Sequence, residues 1–429
     1  AFTGAGNFVV DGNGIVRPGS AKFFSYTGNT IVKSGTLQLE YIKNMTAKSR
    51  VYLGEEGNTS PKLVMAGGNF VTKSSNDQYL NYEFPIEVLE NTYSTFTIQR
   101  NCSLKCKVTG SGTLEYKIPF VREYVSGDGR GFYGTLVANG VNSDKDGSQL
   151  MLYNSGIPNA SINLKGNARV THWNPNVTIK LGGLSGDKGT YLGGTTKKTT
   201  GQTVTWQVGN ANTNETFNGV IDRRCSASGY NCNVNIVKEG SGYWRLTGSN
   251  TYNGTTIVTG GRLIIDGSNQ GTGLMTIKEN GSLSGKGTIA GNVVVSGSVQ
   301  ADLSASGSCQ PLTIKGKLTA NNATLVINME DVTGTIADDT EIKVFNLASA
   351  IQGTGFTDIL PATPSATQLW DTSLLATKGI IKVVSNVANG ISTPSANNTS
   401  SSAIYDLTGK KTSSPKGLYI KDGKKHIAR

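Results

Sequence analysis

The stretch GSGYWRLTGSNTYNGTTIVTGGRLIIDG, residues 240–267, holds short apolar runs parted by glycine and asparagine turns. Within it, Trp244 and Leu246 alternate with Tyr243 and Arg245, so a strand here has one apolar and one polar side. The next segment, GLMTIKENGSLSGKGTIAGNVVVSGSV at 273–299, repeats the rhythm of strand, tight turn and strand. SGTLQLEYI at 34–42, GSGTLEYKI at 110–118 and KGKLTANNATLVI at 315–327 carry it along the chain. No stretch sustains apolar positions at helical spacing.

Short strands joined by glycine turns wind best as a solenoid, in which each coil buries its inward side chains on its neighbours. The sequence therefore predicts an all-β fold, a right-handed parallel β-helix of the pectin-lyase-like kind, with less than about 10% helix against a usual ~30%. At about 22 residues per coil and ~4.8 Å per stacked strand, residues 1–385 would make a rod roughly 80 Å long. Composition agrees. Glycine supplies 55 of 429 residues, charged residues only 16% and apolar residues 36%. The last figure excludes disorder of the apolar-poor, highly charged kind. No apolar run approaches the ~18 residues of a spanning helix, so the chain is read as not membrane-spanning. In TVTWQV, Val204, Trp206 and Val208 share one side, which places Trp206 in the core.

Lysine and arginine exceed acids by 40 − 29 = 11. That balance attracts anionic partners. The basic residues are nevertheless scattered, and neither a recognition helix nor a stacking platform is visible, so no nucleic-acid partner is expected. Five cysteines and two histidines make a zinc site improbable, and no cofactor is expected. Cys225 and Cys232 bracket the polar loop SASGYN, which a disulfide would staple; Cys102 and Cys106 need a turn between them to meet, and no pairing is assigned to Cys309. Oxidised pairs fit an exported protein. The chain opens AFTGAGNF, without Met or a signal-peptide pattern, and is read as a mature form or an excised fragment.

Residues 1–388 are read as the repeat domain. From 389 to 402, GISTPSANNTSSS and its flanks read as a linker. Residues 403–429 form a small β tail with strand-like runs at Ala403–Leu407, Leu418–Lys421 and Lys425–Ala428, the last two joined by the hairpin signal Asp422-Gly423. Three short strands need a surface to bury against. The expected surface is an open last coil around Ile380–Val384, which the tail would cap, leaving Lys411, Lys416, Lys424 and Lys425 for a secretion partner. Open solenoid ends also suggest self-association.

Residues 240–267 closely resemble the passenger-associated repeat of autotransporter proteins, in which an Asn-Thr-Tyr-x-Gly turn leads into a strand ending Gly-x-Leu. NGSLSGKGTIAGNVVVSGSV resembles the coil that follows it, and WDTSLLATKGIIKVV at 370–384 resembles the element that closes such passengers. LEYKIPFVREYVSGDGRGFYGTLV, IKLGGLSGDKGTYLGG and VTWQVGNANTNETFNGVI, within 114–221, are similar to β-helical regions of large secreted Bacteroidetes proteins, many of them polysaccharide lyases or surface proteins. The tail AIYDLTGKKTSSPKGLYIKDGKKHIAR resembles the C-terminal tails of exported Bacteroidetes proteins, some handled by the type 9 route. These resemblances imply a secreted or outer-surface β-helix whose partners are a polysaccharide or surface glycan and, through the tail, a secretion machinery. They specify a fold rather than a chemistry.

The residues themselves carry no catalytic signature. His172 is the only imidazole within the repeats, and neither a G-x-S-x-G turn nor a Cys–His arrangement occurs. The expected role is therefore adhesive or glycan-binding and non-catalytic, with a polysaccharide lyase and a structural stalk as the alternatives. A lyase would need calcium or basic residues to neutralise a uronate. Weak calcium candidates are Asp144 and Asp146, with Asp128 beside Arg130; all also read as ordinary polar turns. Outward aromatic and basic side chains supply the glycan-binding candidates: Trp173, Tyr243, Arg245 and Tyr252.

Overall fold

The computed structural model describes residues 2–386, apart from 19–23, 41–49, 52, 54–59, 74–79, 98–101, 120–122, 126, 143–147, 153–155, 173, 175, 196–200 and 225–231. It also describes the tail strands between 404 and 428. Two compact units divide at Ser385 and Asn386.

The first unit is a parallel β-solenoid with three faces per coil. On the first face, Leu114 stacks on Leu136, Ile162 and Leu184. Further along it, Trp244, Leu263, Leu283, Val299 and Leu325 stack in register. The second face aligns Lys238, Val258, Ile277, Val295 and Ala320. The third aligns Asn250, Asn269, Ile289 and Ile314. Every one of these residues is buried. Alternation along each strand thus builds one inward column per position, and a column of like residues packs coil against coil.

Coil length varies with the corners. Ile277 pairs with Val295 only 18 residues on, whereas Thr30 pairs with Leu63, 33 residues on. Corners are tight because coils approach at backbone distance. Gly240 adopts φ 72°, and a Cβ there would lie 2.0 Å from the Gly209 carbonyl oxygen. A larger residue would strain both the turn and the stack.

The far end differs from the expected open coil. Ile380–Ser385 is the middle strand of a three-stranded antiparallel sheet, between Glu341–Lys343 and Gln368–Asp371. Ile381 and Val383 are fully buried in the core that also holds Ile342, Val344 and Leu375. Parallel stacking therefore stops at a cap made by the solenoid's own chain, and residues 380–384 offer no free edge. A single turn of helix, Leu375–Lys378, ends at Gly379 with φ 69° and is the only α-helix among the described residues.

The second unit, Asn386–Arg429, contains a four-stranded antiparallel sheet. Its strands lie in the order Lys411–Thr412, Ile404–Asp406, Gly417–Lys421, Lys424–Ala428. The last two pair as the Asp-Gly turn signal requires, Lys421 opposite Lys424. Among the described residues no helix is long and apolar enough to cross a membrane.

Candidate functional site

Outward residues of the first face line a cleft of mixed charge. Register places Tyr243 over Arg262, Ser282 and Ser298, and Arg245 over Ile264, Ser284 and Gln300. Tyr243 and Arg245 are half-exposed, as the alternation around Trp244 and Leu246 demands. The Arg262 guanidinium stands 6.0 Å from the Tyr243 ring centre, at the outer limit of a cation–π contact. Arg245 is clamped by an ion pair with Asp266.

One wall comes from an excursion of the chain after Asp302. Leu303 and Cys309 close it as a narrow hairpin, and the hydroxyls of Ser304, Ser306 and Ser308 bond one another at 2.7–3.3 Å. Asp302 Oδ1 accepts from Gln300 Nε2 at 2.6 Å and from Asn328 Nδ2 at 3.0 Å. Together these groups enclose about 470 Å³, lined also by Lys286 and Asp331. A second hollow of about 370 Å³ shares Arg262 and Gln300 and adds Ser282 and Ser298. Guanidinium, carboxylate, amide and hydroxyl groups thus face one space, several held by neighbours before any ligand arrives. Such a surface suits a polyhydroxylated ligand. Burial and the nearby Asp302 push the Cys309 thiol up to about 11, so it stays protonated at neutral pH and is no nucleophile.

The structure brings together only two of the sequence-derived glycan candidates, Tyr243 and Arg245. Tyr252 is a correction: it is 1% exposed. Its hydroxyl bonds Thr256 Oγ1 at 2.7 Å and accepts from Asn269 Nδ2 at 3.0 Å, so it anchors the interior of the Asn-Thr-Tyr turn. Trp173, the calcium candidates Asp144 and Asp146, and Cys225 lie outside the described residues. Cys232 is buried, and its sulfur accepts from the Thr195 amide at 3.4 Å. Asp128 is committed to Arg130, whose hydrogen bonds hold its carboxyl down to about 2. A guanidinium seated on that carboxylate leaves poor room for calcium. His172 is buried, its ring turned onto the backbone of Asn174, and burial lowers its pKa. Trp206 is fully buried, as expected, and donates to the Gly193 carbonyl at 2.9 Å.

Sequence reasoning missed Arg262, Lys286, Gln300 and Asp302. Each lies a coil or more from Tyr243 and Arg245, and only the lengths of the intervening corners decide which outward residues meet.

Comparison with known proteins places this coil within one of two matched stretches. The profile of the passenger-associated-transport-repeat family matches residues 19–39 and 236–265, the second stretch holding Tyr243, Arg245 and Arg262. The adhesin BmaC autotransporter of Brucella suis biovar 1 is 48% identical over 61 residues, which are 14% of this chain and 2% of that protein. The uncharacterized protein YuaQ of Escherichia coli K12 is 37% identical over 109 residues, 24% of this chain and 7% of that protein. The chain spans only a small part of either relative's length. It is a β-solenoid in which residues 19–39 and 236–265 are similar to autotransporter passenger repeats.

Proposed function

We propose that this chain is the exported, surface-displayed shaft of an adhesive protein, and that it holds a glycan in the cleft of the first face between Tyr243, Arg262 and Asp302. The observation that carries the reading is the preset polar cleft itself, with paired charges and bonded amides open to solvent on a rigid stack. Its likeness to passenger repeats supports surface display, and one relative is an adhesin by name. A binding role rather than catalysis accords with a protonated Cys309 and with the absence of histidine from the cleft lining. The basic C-terminal sheet is read as the contact for export.

The test is a glycan array probed with the wild-type protein, Arg262→Ala and Gln300→Ala. Each variant should lose at least about tenfold in affinity for the glycan bound by wild type, since each side chain can give the ligand a charged or amide hydrogen bond. Equal binding by all three proteins, or no glycan bound by any, would refute the reading. A second measurement deletes residues 401–429; export should fail while glycan binding by purified protein persists.

A further inference from the structure

A third hollow lies several coils away, at the corner between the second and first faces. Thr113, Thr135 and Ser161 stack in register at the start of the first face. Two residues before each, at the corner, stand Ser111, Tyr133 and Asn159. The Tyr133 amide is tied to the Gly110 carbonyl at 2.8 Å, yet the residue is 66% exposed. Beside it opens a space of about 470 Å³, lined by Ser111, Thr135, Asn159, Ser161, Asn210 and Thr213.

Glycines in the next coil let the side chains around the hollow bond one another across it. The strand Val177–Gly186 crosses this corner with Gly182 and Gly183. Neither has a positive φ, so the backbone does not require glycine. Space does. A Cβ on Gly182 would lie 2.6 Å from the Ala160 nitrogen. One on Gly183 would lie 2.7 Å from both Glu215 Oε1 and Ser161 Oγ. Across that gap Ser161 Oγ donates to Glu215 Oε1 at 2.6 Å, and Thr213 Oγ1 donates to the same oxygen at 2.9 Å. Asn210 Nδ2 donates to Asn159 Oδ1 at 3.0 Å, and Asn159 Nδ2 to the Arg130 carbonyl at 2.8 Å. The rim is therefore bonded across four coils before any ligand binds.

We propose that this corner is a separate saccharide site that takes an uncharged sugar unit, its ring face laid on Tyr133 and its hydroxyls bonded to Asn159, Asn210 and Thr213. The proposal deepens the glycan reading and rests on it. The chemistry selects the ligand class. An aromatic plate beside amides and hydroxyls fits the apolar face and hydroxyl rim of a pyranose. The lining contains no lysine or arginine, and the Glu215 carboxylate accepts from two of its hydroxyls, those of Ser161 and Thr213. A uronate, sulfate or phosphate would meet repulsion there, although the chain as a whole carries a net charge of +11. The cleft around Arg245, Arg262 and Lys286 differs in carrying basic groups among its carboxylates. From the strand of Thr135 to that of Tyr243 is four stacked steps, about 19 Å, so one extended chain along the rod can engage both.

The experiment titrates neutral hexose oligosaccharides, di- to octasaccharide, and matched uronate-containing ones into four proteins: wild type, Tyr133→Ala, Tyr133→Phe and Arg262→Ala. Tyr133→Ala should weaken the neutral series about tenfold, while Tyr133→Phe stays within about threefold because the ring face remains. Disaccharide binding should survive Arg262→Ala, and the longest chains should lose affinity in both alanine variants. Tyr133 is exposed, so Tyr133→Ala is expected to fold, which the far-ultraviolet spectrum checks. If neutral sugars bind Tyr133→Ala as tightly as wild type, the proposal falls while the cleft stands. If only uronate-bearing chains bind, the proposal likewise falls. If wild type binds no oligosaccharide at all, both readings fall.

Discussion

Lys238 gives the sharpest test of the packing argument. It occupies an inward position of the second face, in column between Val208 and Val258, and is 1% exposed. Its ammonium donates to the carbonyls of Glu239 at 2.6 Å, Gly260 at 3.2 Å and Gly240 at 3.4 Å. Burial lowers its pKa to about 8, with Glu239 opposing. The unfolded chain titrates near 10.5. Between pH 8 and 10.5 the unfolded state therefore binds a proton that the folded state has lost, and stability rises with pH. Below pH 8 the full cost of burying the charge is present; above 10.5 it is fully relieved. The whole window is worth at most about 3 kcal/mol, less to the extent that the three carbonyls favour the ammonium. Lys238→Met keeps the length and removes the charge, so at pH 7 it should change stability by about 1 kcal/mol or less. Denaturant titrations of both proteins at intervals from pH 7 to 10 provide the assay. The stability of wild type relative to Lys238→Met should climb through the window by one to two kcal/mol, up to a ceiling of about 3 kcal/mol. Taking the difference cancels every other titrating group. Parallel curves would refute the claim that a buried ammonium fills this corner.

Four further outcomes are expected. Asp222, 2% exposed, binds Arg169 Nη1 at 3.0 and 3.1 Å and Arg224 Nε at 2.7 Å; Asp222→Ala strands the buried Arg169 and should cost about 3–5 kcal/mol by denaturant titration. Gly379→Ala places a Cβ 2.4 Å from the Phe345 oxygen at φ 69°, and should lower cap stability by at least about 1 kcal/mol, read as faster amide exchange at Ile381 and Val383. Burial, aided by Glu83, raises the Cys106 thiol far above its ordinary value, and Cys309 rises to about 11. Unfolded thiols ionise near pH 9 while these keep their protons, so stability is lost as pH climbs above about 9, and Cys106→Ala should flatten that loss. Mass spectrometry of unreduced protein should find Cys225 bonded to Cys232, a bridge worth about 2–3 kcal/mol for so short a loop; alkylation of both would exclude it.

What the sequence reveals and what it hides divide along a physical line. Alternation is local, so the inward placement of Trp206, Trp244 and Leu246 follows from the chain alone. The scarcity of helix among the described residues follows in the same way. Tyr252 sits in a turn, where no period assigns a side, and there hydrogen bonds to Thr256 and Asn269 decide that it points inward. Lys238 breaks the binary pattern, because backbone carbonyls rather than water serve its charge. The cap shows in the sequence only through the likeness of residues 370–384 to a closing element, because its strands read like any other short run and antiparallel pairing is a property of the whole end. Contacts between outward residues are the least legible. Arg169 meets Asp222 across 53 residues, and Tyr243 meets Arg262 across one coil whose length is fixed by its corners.

That last point bears on where function can reside in such a fold. The inward columns tolerate little variation, since each side chain packs between two neighbours of the same column. Corner length carries no such constraint. The coil from Ile277 to Val295 takes 18 residues, and the coil from Val295 to Ala320 takes 25. The longer coil contains the Leu303–Cys309 hairpin that walls the cleft. On either side of the hairpin the ladders stay in register, Val299 on Leu325 and Leu312 on Phe345. The excursion therefore adds a binding wall without disturbing the stack that supports it. At Tyr133 the device is the set of corner side chains themselves, with Ser111, Tyr133 and Asn159 lining the hollow. Both devices act on the outer surface of the first face and leave the core columns untouched, so the sites can be altered by substitution while the shaft remains intact.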